Sequence, residues 1–149
     1  MGFRLTMTPR FRRRVPFAIF ALLPVLVSAC ATTAQVDQAG AALAVAKSWQ
    51  EALAAGDFGG ALALVDENFS SPAWRTREDL RFYLEQARDR GYFKPATIIS
   101  EPVKLTLTSE QVVVYPVGIR ARAGLSVFRL TLAPRDAEWK IVSATLEFY

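Results

Sequence analysis

The stretch LSVFRLTLAPRDAEWKIVSATLEF, residues 125–148, decides the fold. In its first part Val127, Arg129 and Thr131 alternate with Phe128, Leu130 and Leu132. That period of two sends successive side chains to opposite faces of a strand. Pro134-Arg135-Asp136-Ala137 then turns the chain. Glu138 to Phe148 reads as a second strand, with Val142, Ala144, Leu146 and Phe148 on one side. Trp139, Ile141, Ser143, Thr145 and Glu147 fall on the other. Two strands joined by so short a turn pair antiparallel. Neither side of the pair is purely polar, so both faces of the sheet should be covered at least in part.

The same period continues upstream. Val103, Leu105 and Leu107 alternate with Lys104, Thr106 and Thr108, and Ser109-Glu110 is a turn. Gln111 to Ile119 is rich in β-branched residues and reads as a strand. Pro116 inside it calls for an edge, a bulge or a bend. Before Tyr92 the period is close to four. Ala42, Val45, Trp49 and Leu53 share one face of an alanine-rich helix expected over 35–55, which Gly56 ends. Asp57 should cap a second helix over 58–68. Thr76-Arg77-Glu78-Asp79 approximates a capping box for a third over 77–90, whose buried stripe is Leu80, Tyr83, Leu84 and Ala87. Helices first and strands last make an α+β domain, three N-terminal helices on a curved antiparallel sheet of at least four strands.

The N-terminus is different in kind. Arg4, Arg10, Arg12, Arg13 and Arg14 precede an apolar run over 15–27, and Ser28-Ala29 leads to Cys30, the one cysteine of the 149-residue chain. A basic start, a short apolar middle and small residues before a cut form the layout of a secretory leader. Val27-Ser28-Ala29-Cys30 resembles the lipobox of bacterial lipoproteins. The resemblance implies cleavage before Cys30, lipidation of its sulfur, and a membrane anchor of two or more acyl chains, which holds where one chain would not. With Ala31 following, it implies the outer membrane facing the periplasm in a Gram-negative cell. The expected division is a leader over 1–29, the lipidated cysteine with a tether and helix start over 30–40, and one domain over 41–149.

Charge and composition close several routes. The chain has 18 basic and 14 acidic residues, a net of +4, but five arginines and no acid lie before Cys30. Removing them leaves 13 basic against 14 acidic residues, a net of −1. The basic character belongs to the leader, so no nucleic-acid partner is expected. The chain has no histidine, which excludes histidine triads and histidine metal ligands. No phosphate loop and no metal-ligand spacing is present, and neither cofactor nor metal is expected.

Trp49 on the first helix, Ala55-Gly56-Asp57-Phe58, and Glu138-Trp139-Lys140-Ile141-Val142 opening the last strand occur in an order that resembles the nuclear transport factor 2-like superfamily, also called cystatin-like or polyketide-cyclase-like. The resemblance covers about residues 41–148. It implies a cone in which the bent sheet wraps the helices, a pocket at the open end, and in many members a homodimer through the outer sheet face. Enzymes of that superfamily, isomerases and dehydratases among them, use a pocket Asp or an Asp/His pair.

Without histidine, Asp66 and Glu147 are the candidate carboxylates here. Arg129, Arg120 and Arg122 are candidates to stabilise negative charge. Trp49, Tyr83, Tyr115, Arg129 and Trp139 are the candidate pocket residues. The plainer roles are a solvated or locally paired helix acid at Asp66, an exposed strand acid or partner of Arg129 at Glu147, solvated arginines at 120 and 122, and core positions for Trp49, Tyr83 and Trp139. The expectation is a lipid-anchored envelope protein, a non-catalytic module for a small amphipathic ligand or a protein partner. The alternative is an isomerase, dehydratase or hydrolase that works through one carboxylate.

Overall fold

The computed structural model describes residues 23–100, 103–108 and 110–148, with side chains described from Val36 to Glu147 among them. Residues 1–22 of the expected leader, and the side chain of Cys30, lie outside the described residues. Three helices, α1 (Leu23–Ala55), α2 (Phe58–Ala63) and α3 (Arg77–Asp89), precede five strands, β1 (Ala96–Ile99), β2 (Lys104–Leu107), β3 (Val112–Ala121), β4 (Gly124–Arg135) and β5 (Glu138–Phe148). The α+β class is as expected, with helices laid on one face of an antiparallel sheet.

Helix α1 begins earlier than expected. The tether anticipated over 31–34 is helical, and the helix runs unbroken from Leu23. Pro24 is tolerated in a first turn, and nothing between it and Gly40 breaks a helix. Ala29, Ala31 and Ala34 favour it. Val36, Asp37, Gln38, Gly40 and Ala41 are exposed, and packing starts at Ala42. No helix among the described residues is long and apolar enough to cross a membrane.

Helix α2 is shorter than expected and stops at Ala63 instead of reaching Asn68. The backbone after it turns to β5. Ile141 N donates to Leu64 O at 2.9 Å, Asp66 N donates to Ile141 O at 3.0 Å, and Ser70 N donates to Val142 O at 3.1 Å. Leu64 O, Asp66 N and Ser70 N therefore take partners on β5 instead of continuing the helix. The expected capping box is present on α3. Thr76 Oγ1 accepts from Asp79 N, and Asp79 Oδ2 accepts from Thr76 N. Gly56 and Gly91 end α1 and α3 with φ of +77° and +68°, where a side chain would be strained.

The sheet order is β1-β3-β4-β5, with β2 also on β3. Strand β1 was not foreseen: Ala96-Thr97-Ile98-Ile99 is too short to display a period. It pairs with the C-terminal half of β3, from Ile99↔Gly118 outward, and β2 pairs with the N-terminal half up to Lys104↔Tyr115. Pro116 falls in the gap between them, where its missing N–H leaves no ladder bond unmade. The ladder with β4 slips at the same place, between Val114 and Val117. A second slip lies between Thr131 and Leu132, opposite Val142 on β5. This bulge corrects the expected faces of β5. Ile141 pairs with Leu132 and Ala144 with Leu130, so both point to the core. An extra residue in one strand inverts the alternation beyond it.

The core lies between α1 and the inner sheet face. Trp49, Leu53, Leu80, Leu84, Ile119, Phe128, Leu130, Leu132 and Ile141 have no exposed surface. Trp49 meets the edge of Phe128 with ring centroids 4.8 Å apart. The centre of the cone is thus filled by side chains.

Candidate functional site

A cavity lies beside the bulge in β3. Its volume is about 690 Å³, and it lies between α1 and the strands β1 and β3. That is within the roughly 300–1,000 Å³ of small-molecule sites. Leu43, Ala46, Lys47, Gln50 and Glu51 approach it from α1. Their spacing of three and four places them on a single flank of that helix, beside the stripe that packs the core. Ile98 and Ile99 of β1 and Val114, Pro116 and Val117 of β3 supply an apolar wall, Val103 ahead of β2 extends it at the rim, and Ser100 adds one hydroxyl.

Polarity is graded across this space. Ala46 and Gln50 are buried, while Lys47, Glu51, Ser100 and Val103 are exposed at the rim. Gln50 is 8% exposed, and its Nε2 donates to Gly118 O at 2.6 Å. The helix is thereby bonded to the strand at the bulge. Glu51 is the one acid among the described lining residues. Such a space can hold a molecule of mixed polarity.

The candidate carboxylates lie elsewhere. Asp66 is buried, but it lines a second cavity of about 600 Å³ at the β4–β5 hairpin. There its Oδ2 pairs with Arg135 Nε at 3.0 Å, and its Oδ1 accepts from Asn68 N at 2.8 Å. Both of its oxygens are thus engaged, one by a cation and one by a backbone amide. In the same region Arg77 Nη2 donates to Leu62 O at 2.9 Å, and Lys140 Nζ donates to Ala63 O at 3.2 Å. These cations cap the end of α2. Glu147 sits on the outer sheet face, where Tyr115 Oη donates to its Oε2 at 3.2 Å. Arg129 lies on the same face with its guanidinium 4.2 Å from the centre of the Tyr115 ring.

The five pocket candidates are therefore dispersed. Trp49 is core, and Trp139 is half-buried against the core. Tyr83 is half-buried on α3 with its ring 5.0 Å from that of Trp74. Burial, and secondarily the neighbouring Tyr92 hydroxyl, hold its phenol above the ordinary value near 10. Tyr115 and Arg129 come together, but on the outer face. Arg120 and Arg122 are exposed near the β3–β4 turn. The cavity residues Leu43, Ala46, Lys47, Gln50 and Glu51 were not anticipated as a group. One signal was available: Ala46, Gln50 and Leu53 repeat at four and three, which puts Gln50 on a buried flank. Among the described residues no three metal-capable side chains converge.

No protein-family model matches the sequence, and no curated protein matches it. Solved structures do. A candidate dehydratase of the nuclear transport factor 2-like family from Streptomyces avermitilis is 15% identical, with a TM-score of 0.64 over 77% of this chain and 98% of that one. A candidate scytalone dehydratase from Novosphingobium aromaticivorans is 15% identical, with a TM-score of 0.62 over 79% and 88%. A protein of unknown function with a cystatin-like fold from Nostoc punctiforme is 12% identical, with a TM-score of 0.57 over 72% and 87%. At such identities the likeness is one of architecture, and the chain has the nuclear transport factor 2-like, cystatin-like fold.

Proposed function

We propose that the protein is a non-catalytic binding module, exported and held at a membrane by acyl chains on Cys30, whose ligand occupies the cavity between α1 and the bulged strand β3. The observation that carries this reading is the lining of that cavity. It joins a wall of aliphatic side chains to a buried amide, and neither Asp66 nor Glu147 takes part in it. Continuity of α1 adds support. Leu43 stands thirteen helical steps beyond Cys30, a rise of about 20 Å at about 1.5 Å each. An acylated Cys30 would therefore hold the cavity mouth close to the bilayer, within reach of molecules that partition there. Dehydratase chemistry is disfavoured because Glu51, the one acid among the described lining residues, is exposed at the rim, a poor substitute for a carboxylate in an apolar pocket.

Two measurements test the proposal. Small amphipathic compounds should raise the melting temperature of the full-length protein, and Ala46→Trp, which fills the cavity, should abolish the shift. Mass spectrometry of the protein from its native membranes should find Cys30 as the acylated first residue, with Cys30→Ser releasing the chain from the membrane fraction. Robust turnover of a substrate, lost in Asp66→Ala or Glu147→Ala, would overturn the non-catalytic reading.

A further inference from the structure

Gln50 narrows the class of ligand. Its Nε2 is committed to Gly118 O, and this fixes the orientation of the amide, since a carbonyl must face a donor. Oε1 accepts no hydrogen bond among the described residues. Trp49 Nε1, sealed in the core, also lacks a partner, but Oε1 of Gln50 is not among the sealed atoms. The open space beside Gln50 is the cavity. A buried residue thus offers one unused acceptor to whatever enters. Around it the walls are aliphatic, from Ile98, Val103, Val114 and Val117.

The rim decides the charge. Lys47 and Glu51 stand one helical turn apart, both exposed, and neither forms an ion pair among the described residues. A carboxylate attracted by Lys47 is repelled by Glu51 at similar range, and an ammonium meets the reverse. Net charge gains little there, while shedding water from it is costly.

We infer that the cavity selects a small neutral molecule, mainly aliphatic, with one hydrogen-bond donor, an alcohol or an amide N–H, for Oε1 of Gln50; the inference rests on the binding reading above. Matched probes test it on the full-length protein. Hexanol has the donor, its isomer dipropyl ether lacks it, and hexanoate and hexylamine carry opposite charges. Binding is followed by the amide chemical shifts of Ala46, Gln50, Val114 and Val117. Hexanol should bind about fivefold tighter than the ether, the worth of one net hydrogen bond, and tighter than either ion. In Gln50→Met, of similar shape without the acceptor, the preference over the ether should vanish. The wild-type comparison decides the matter even if that variant fails to fold. Equal affinity for the ether, or tightest binding of an ion, overturns the inference and leaves the binding reading standing. If no probe shifts these amides, both fall.

Discussion

The two flanks of the sheet each carry a bulge, with opposite results. At the β3 flank the chain slips between Val114 and Val117, beside the gap between β1 and β2, and a cavity opens under α1. At the β5 flank the slip at Val142 turns backbone groups outward, and the 64–70 segment docks onto them through Leu64 O, Asp66 N and Ser70 N. The Asp66–Arg135 pair and the cations on Leu62 O and Ala63 O then fasten that side. A bulge by itself therefore specifies neither a site nor a seal. Its result depends on whether the chain returns to satisfy the backbone it exposes. The open flank is suited to binding, and the fastened one to holding the fold.

Removing the post on which both flanks lean should cost most. Trp49 is fully buried against Phe128. Trp49→Ala should lower unfolding free energy by about 3–5 kcal/mol, read from the urea midpoint. A loss under about 1 kcal/mol, in the range of a surface change, would mean that the centre of the cone is not the packed core described.

One substitution made on both flanks sharpens the contrast. Ala61 on α2 and Ala46 on α1 are equally hidden, at 0% and 1% exposure, but only Ala46 lines the cavity. Ala61→Leu should overpack and destabilise by about 1–3 kcal/mol. Ala46→Leu has room to enter and should be neutral or stabilising by about 1 kcal/mol through added apolar burial. Equal losses in thermal denaturation would show that the open flank is as tightly packed as the other.

The closed flank can be loosened directly. Asp66→Ala removes the acceptor of Asn68 N and the partner of Arg135. The expected cost is about 1–2 kcal/mol, chiefly from the partly buried hydrogen bond to Asn68 N, because Arg135 is half exposed and its pairing is screened. Hydrogen exchange at the amides of Asp66 and Ser70 should quicken, while that of Gly118 stays slow. A uniform change across the sheet would deny the flanks their separate roles.

These asymmetries explain what the sequence does and does not disclose. The alternation over 125–133 reads correctly because Phe128, Leu130 and Leu132 have no bulge among them. It fails at Ile141-Val142, where two adjacent β-branched residues look the same whichever of them is the extra one. The end of α2 is hidden for a different reason. Local propensity over 64–68 allows a helix, and the deciding bonds come from Ile141 and Val142, far away in sequence. Strand β1 has four residues, too few for a period to show. The cavity is harder still to read, since Lys47 and Glu51 look like ordinary solvated helix residues. Gln50 makes sense only when Gly118 is brought opposite it. Asp66 is only partly legible: its bond to Asn68 N is local, but it is buried beyond the end of α2 and its ion pair is with Arg135, 69 positions away in sequence.

The smallest expected effect concerns α3, where Tyr83 packs beside Trp74. Burial first, and then the Tyr92 phenol, raise the Tyr83 pKa above its ordinary value near 10. The folded state thus prefers the neutral phenol more than the unfolded chain does. Below the unfolded value both states hold the proton, and the preference is fully present. As pH rises from about 9.5 upward, the unfolded chain ionises first, and stability falls until the folded phenol ionises too. Tyr83→Phe keeps the ring and removes the proton, so its urea midpoint should decline less steeply between about pH 9.5 and 11. The difference should be a few tenths of a kcal/mol to about 1 kcal/mol, since the group keeps partial contact with water. Near pH 7 the variant should match the parent closely, because it keeps the ring packed beside Trp74 and the phenol is neutral in both states. Parallel alkaline curves for the two proteins would mean that Tyr83 is as well hydrated as in the unfolded chain, and that α3 seats its ring less closely than the contact with Trp74 implies.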